Sequence, residues 1–323
     1  MKDNIEELIE KIDKELEELE EEEYLKKHNK IIENLEFDIQ SLNCNIEEIY
    51  NKYLCELNKL IGLEEVKNEI KKLINYLIFV GKMKNQKFLE KNNLNMVFRG
   101  NPGTGKTTVA RIVSKILYDL GYLRNDIVIE TTPRDFISGY VGQTAIKAKN
   151  KIRQAKGGII FIDEAYAFSK SIDDNTSSFA PEAIVEIIKE METGNTVFIF
   201  SGYSKEMENF INMNAGIKSR LGYDIEFRNY TKEELFMMFV KKIEKLELKL
   251  STDAEEILKQ KIEDKMKIKN FGNGRMIDNL FNEILREHAS INIFETNAEK
   301  LTTITKDSIL NIKERKEGGM LFG

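Results

Sequence analysis

One stretch limits the fold more than any other: Gly100–Thr107, reading GNPGTGKT. It fits the pattern G-x-x-x-x-G-K-[ST], follows the apolar run NMVFRG and opens a helical pattern at Lys106. A glycine turn in that setting predicts a P-loop. Glycines let successive backbone N–H groups curl around phosphate oxygens. The following helix N-terminus adds a favourable dipole. Asn101, Pro102, Gly103, Thr104 and Gly105 then form the cradle for ATP, and Thr108 extends it into the helix. Lys106 neutralises the β- and γ-phosphates, and Thr107 ligates Mg²⁺.

A second stretch, GGIIFIDEA, supplies the complementary acids. A buried strand ends in Asp163 and Glu164. Asp163 is placed to reach the Mg²⁺ shell, and Glu164 to orient or deprotonate an attacking water. A glutamate beside the metal-binding aspartate points to hydrolysis of ATP rather than mere binding.

The surrounding pattern predicts an α/β fold with a parallel sheet between helices. Strands are expected at NMVFRG, IVIET, GIIFID, TVFIFSG and YDIEF, with helices from Lys106, near Ala145 and near Pro181. After Asn229 the strand signals stop. Four helices are expected, at Thr231–Leu248, Thr252–Ile268, Arg275–Ile291 and Lys306–Arg315. Thr231 with Glu234, and Thr252 with Glu255, read as capping-box starts. The expected domains are a helical extension over 1–57, a nucleotide-binding α/β domain over 58–228 and a helical lid over 229–323. Ser169–Phe179 reads as a polar loop.

Residues 1–57 read as helix: Leu35, Ile39, Leu42, Ile46, Ile49, Tyr53 and Leu57 recur at steps of three and four. Two readings stand there, an amphipathic hairpin lying on the domain behind it and a coiled coil recruiting a partner. The net charge is −6, and residues 1–23 alone hold twelve Asp/Glu against three Lys. Subtracting that −9 leaves +3 for the remainder, which does not mark a nucleic-acid binder. Cys44 and Cys55 lack metal spacing and are expected to be buried, reduced thiols of a cytoplasmic protein. His28 and His288 are isolated, so a Zn site or His-based triad has no support. The apolar runs are too short for a membrane span, and the acidic start does not read as a signal peptide.

The segments GNPGTGKTT, GGIIFIDEAY, FSGYSKEM, IKSRLG and GNGRMIDN, in that order and spacing, resemble the AAA+ ATPases, more narrowly the CbbX/CfxQ group. The resemblance runs from about Leu57 to about Ile312, leaving residues 1–56 outside it. It implies that LIGLEEVK packs on adenine through Ile61 and Gly62. It implies that Arg220 is an arginine finger acting on ATP held by the neighbouring subunit, and that Arg275 is a lid arginine contacting phosphate in its own subunit. A guanidinium can pair with two γ-phosphoryl oxygens as charge spreads over them. The polar sensor after TVFIFSG lies at Tyr203 or Ser204, with Ser204 favoured. A finger acting in trans requires a closed homo-oligomer, and the resemblance implies a hexameric ring.

The stretch DFISGYVGQT places Tyr140 between Gly139 and Gly142, as expected of an exposed aromatic on a mobile loop. The resemblance assigns that loop, Tyr140 with Val141, to the central pore, where the ring grips a polypeptide. The leading expectation is thus a motor that remodels or partly threads a protein client. A nucleotide-gated scaffold acting through the N-terminal helices is the alternative, and a nucleic-acid loader a more distant one.

Overall fold

The computed structural model describes residues 39–83, 93–140, 142–169 and 179–312, with side chains described from Ile46 onward. The expected polar loop is described only at its two ends, and the coiled-coil reading of the first 38 residues lies outside the described part. Helices α1 (Ile39–Asn58) and α2 (Glu64–Lys82) precede the first strand. The α/β unit then runs β1 (Met96–Gly100), α3 (Lys106–Asp119), β2 (Val128–Thr131), α4 (Thr144–Gln154), β3 (Ile159–Ile162) and α5 (Ala180–Thr193). It closes with β4 (Val197–Gly202), α6 (Ser204–Met213), α7 (Ala215–Lys218) and β5 (Tyr223–Phe227). The five strands lie in the order β2-β3-β4-β1-β5, and every adjacent pair is parallel.

Alternation along the strands sorts the core onto two faces. Met96 and Phe98 of β1, Ile159 and Phe161 of β3, and Val197 and Ile199 of β4 face a layer built from α1, α2 and α3. Val97, Ile160, Ile162, Phe198 and Phe200 face the opposite layer, built from α4, α5 and α6. Burial on both faces explains the continuous apolar runs that announced the strands. Because β1 is flanked by β4 and β5, its C-terminal end opens between them, and the P-loop starts there.

The lid consists of α8 (Lys232–Glu244), β6 (Lys249–Leu250), α9 (Thr252–Met266), α10 (Gly274–Ile291), α11 (Ala298–Thr302), β7 (Thr303–Ile304) and α12 (Lys306–Leu310). Its core gathers Leu235, Phe239, Leu258, Ile277, Leu280 and Ile284. The expectation of a strand-free lid is corrected by the two-residue parallel pair β6–β7. That pair is too short to leave a periodic signal. It also moves a helix cap. The Ser251 N–H donates to the Ile304 carbonyl at 3.1 Å, so Ser251 caps α9 and Thr252 becomes its first residue. The capping box expected at Thr252 therefore does not form, whereas the one at Thr231 does, with Thr231 N–H on Glu234 Oε2 at 2.8 Å. Among the described residues no helix is long and apolar enough to cross a membrane.

Helix α1 lies on the α/β unit as the amphipathic reading expected, with Tyr53 and Leu57 fully buried and Ile49 packed beside them. Cys55 is exposed, which corrects the expectation of a buried thiol. Two residues along a helix turn the side chain by about 200°, so Cys55 points away from the stripe carrying Tyr53 and Leu57. The docking is fixed at the end of α3. The Tyr53 hydroxyl donates to Asp119 at 2.6 Å, and Lys52 pairs with the same carboxylate at 2.7 Å. Burial alone would raise the Asp119 carboxyl. The hydrogen bonds from Lys52 and Tyr53, together with the charges of Lys52 and Lys115, more than offset it and hold the group below its usual range. A carboxyl lowered in this way stabilises the fold above its unfolded pKa and stops doing so as the pH falls through its folded one. Asp119→Asn is expected to cost about 1 kcal/mol at neutral pH. The gap from the parent should narrow once the pH drops below about 4. Urea denaturation of both proteins across that range checks this; a gap independent of pH would contradict it.

Candidate active site

The P-loop takes the strained path that its glycines permit. Gly100, Gly103 and Gly105 have φ of 146°, 74° and 93°. The Thr104 side chain folds back and donates to the Asn101 carbonyl at 2.8 Å. Lys106 is nearly buried, and its ammonium donates to the carbonyls of Gly100 and Asn101, both at 2.8 Å. Burial pushes this ammonium down to about 8, with Arg275 adding to the shift and Asp163 and Glu226 opposing it. The ammonium is therefore held in place by its own loop.

The acids stand at the end of β3, across from that loop. The Ser201 hydroxyl of β4 donates to Asp163 Oδ1 at 3.0 Å, and the Glu164 N–H donates to the same oxygen at 3.1 Å. Glu164 has φ of 51°, a left-handed conformation that costs a non-glycine residue energy. Its backbone is held by the succeeding residue, since the Ala165 N–H donates to the Ser201 carbonyl at 3.0 Å. The result is an exposed glutamate beside an anchored aspartate.

These elements enclose a cleft of about 500 Å³. Gly100, Pro102, Gly103, Gly105, Lys106, Thr107 and Thr108 form one wall, and Asp163, Glu164, Gly202 and Tyr203 another. The loop between α1 and α2 supplies Leu60, Ile61 and Leu63, and the lid supplies Met238, Arg275 and Ile277. The cleft thus pairs an apolar end with a phosphate-sized glycine cradle and two acids. The oxygen donors at Thr107 and Asp163 suit a hard divalent cation such as Mg²⁺.

Of the residues expected at this site, Gly62, Asn101, Thr104, Ser204 and Arg220 do not line the cleft. Gly62 has φ of 62°, which disfavours a side chain, and a Cβ there would displace the Glu234 carboxylate. Asn101 turns outward and donates to Asn229 at 2.9 Å. Tyr203 faces the cleft, while the Ser204 hydroxyl donates to Glu226 at 2.5 Å. Arg220 pairs with Glu192 and donates to the Gly216 carbonyl at 2.8 Å. Tyr140 lies outside the cleft and is 72% exposed; its N–H donates to Ser138 Oγ at 3.4 Å. Of its flanking glycines, only Gly142 adopts a positive φ. Val141 lies outside the described residues.

Sequence reasoning missed Ser201, Tyr230, Met238, Asn273 and Ile277. Asn273 stands within the GNGR segment that drew attention to Arg275, so a local signal existed for it. Met238 and Ile277 carry none, because they reach the cleft from helices of the lid.

Comparisons with known proteins identify the family. The family model described as "ATPase family associated with various cellular activities (AAA)" matches residues 96–229, and the AAA lid domain model matches 231–318. Stage V sporulation protein K of Bacillus subtilis is 35% identical over 81% of this chain and 83% of its own. A chloroplastic ribulose bisphosphate carboxylase/oxygenase activase of Cyanidioschyzon merolae is 36% identical over 78% of this chain and 88% of its own. A CfxQ homolog of Galdieria sulphuraria is 36% identical over 87% and 97%, respectively. Among solved structures, the FIGL-1 AAA domain in complex with ADP superposes with a TM-score of 0.52 at 14% identity, covering 77% of this chain and 80% of that one. A Thermotoga maritima RuvB mutant superposes at 0.51 with 18% identity, covering 79% and 70%. Both share the fold. The chain belongs to the AAA ATPases, as a relative of the CfxQ homologs and of stage V sporulation protein K that carries the AAA lid domain.

Proposed function

We propose that this ATPase assembles into a ring, six-membered by the resemblance, and uses ATP hydrolysis to remodel a protein client. The observation that carries the reading is the placement of Arg220. It matches the position of an arginine finger, yet does not line the cleft of its own chain. A finger so placed serves ATP bound to another copy. The exposed Tyr140 supports the client side of the reading, as does the similarity to proteins named as rubisco activases.

In this reading Leu60, Ile61, Leu63, Met238 and Ile277 hold the adenine end. Gly103, Thr104 and Gly105 present N–H groups to the phosphates, and Lys106 and Arg275 pair with their charge. Thr107 and Asp163 would hold Mg²⁺, which when bound neutralises charge on the β- and γ-phosphate oxygens. Ser201 keeps Asp163 in place. Glu164 takes the proton of the attacking water, and Tyr203 or Ser204 stands at the sensor position after β4. Arg220 of the adjoining copy completes the site. Tyr140, with Val141, contacts the client in the pore.

Glu164→Gln should lower turnover at least 100-fold while leaving ATP binding close to the parent's. Steady-state turnover and nucleotide titration separate the two effects; parallel losses would contradict the assigned role. Arg220→Ala should be similarly inactive alone. Mixed in equal amounts, Glu164→Gln and Arg220→Ala should recover about a quarter of the parental rate, because one interface in four unites both intact groups under random assembly. A mixture as silent as its components would overturn action in trans. For the client side, a photoreactive phenylalanine at position 140 in the Glu164→Gln protein should crosslink to an added unfolded polypeptide when ATP is present. Crosslinks confined to the protein itself would contradict the pore role.

A further inference from the structure

Three carbonyls of the P-loop, those of Pro102, Gly103 and Thr104, accept hydrogen bonds from groups on the lid side. Asn273 Nδ2 donates to the Pro102 carbonyl at 3.2 Å. The Gly274 N–H donates to the Gly103 carbonyl at 3.0 Å. The Tyr230 hydroxyl donates to the Thr104 carbonyl at 3.2 Å. Three successive peptide units are therefore fixed from behind. In a planar trans peptide the carbonyl and the following N–H point opposite ways. Holding these carbonyls toward the lid turns the N–H groups of Gly103, Thr104 and Gly105 away from it.

The holding residues are themselves tightly fixed. Asn273 is 1% exposed and has φ of 50° and ψ of −123°, a region that non-glycine residues rarely occupy. Its side chain compensates: Oδ1 accepts from the Tyr230 N–H at 3.0 Å, and Nδ2 also reaches Asn229 Oδ1 at 3.0 Å. Tyr230 and Asn273 thus form one buried unit where lid and linker meet. The approach is close enough that a Cβ on Gly103 would collide with the Gly272 carbonyl.

We propose that Asn273 and Tyr230 are positioning residues that aim the P-loop N–H groups, so that the grip on the β-phosphate depends on a seated lid. An unseated lid frees three peptide planes to rotate, and the cradle loses its preorganisation. Lid position and phosphate binding then become linked, each stabilising the other. This deepens the nucleotide-site reading and rests on it.

The test is competition of ADP and of AMP against a fluorescent ATP analogue, using the parent, Tyr230→Phe and Asn273→Gly. Tyr230→Phe removes one hydroxyl and keeps the ring. Asn273→Gly removes the side-chain bonds and relaxes the backbone. Each variant should weaken ADP about fivefold, the scale of one lost neutral hydrogen bond, and the double variant about 20-fold. AMP, which lacks the β-phosphate, should change by less than about twofold, so the ADP-to-AMP preference narrows. Unchanged ADP affinity in Tyr230→Phe overturns the inference, as does equal weakening of ADP and AMP. Should Asn273→Gly not fold, Tyr230→Phe alone decides. A parent that does not prefer ADP over AMP overturns the nucleotide site as well; a parent that does, with variants that match it, overturns only the positioning role.

Discussion

The structure turns on one backbone contact, the Gly274 N–H of the lid against the Gly103 carbonyl of the P-loop at 3.0 Å. A Cβ at position 103 would collide with the Gly272 carbonyl and one at 274 would crowd the Gly103 carbonyl, while Gly272 is required by its φ of 83°. A second contact, backbone against side chain, sets Gly62 against the Glu234 carboxylate at the capped start of α8. Between these two points the lid closes over the cleft. It brings Met238 and Ile277 to the apolar end and Arg275 to the phosphate end. Neither core alone could build the site: one supplies the glycine cradle and the acids, the other the cover and a cation.

Electrostatics inside the cleft are balanced around Lys106. Its ammonium is desolvated; the charges of Asp163 and Glu226 favour its protonated form and that of Arg275 opposes it. Two carbonyls of its own loop hold it meanwhile. A triphosphate offers stronger acceptors than those carbonyls, since hydrogen bonds between charged groups are shorter and stronger. The acids are treated differently from each other. Asp163 accepts two hydrogen bonds from neighbouring backbone and hydroxyl groups, while Glu164 is turned outward on a strained backbone. One acid is fixed and the other presented, a division that suits a metal ligand beside a base.

Much of this was legible in the residues. The strands were visible because parallel strands buried on both faces become unbroken apolar runs, as in IIFI and VFIF. The P-loop was visible because its chemistry is local: glycines, lysine and threonine within eight residues. What stayed hidden depends on tertiary neighbours. The short pair β6–β7 has no room for a period. Cys55 looked buried by residue type, but its helical phase exposes it. Asn273 and Tyr230 act through carbonyls more than 100 residues away, a relation that no local pattern encodes.

In the proposed linkage, a seated lid and an ordered phosphate cradle stabilise each other. Amide hydrogen exchange with and without ADP addresses it directly, comparing peptides that cover the P-loop with those that cover Phe271–Met276. ADP is expected to slow both sets by a common factor. Slowing confined to the P-loop, with the lid peptides exchanging as before, would contradict it.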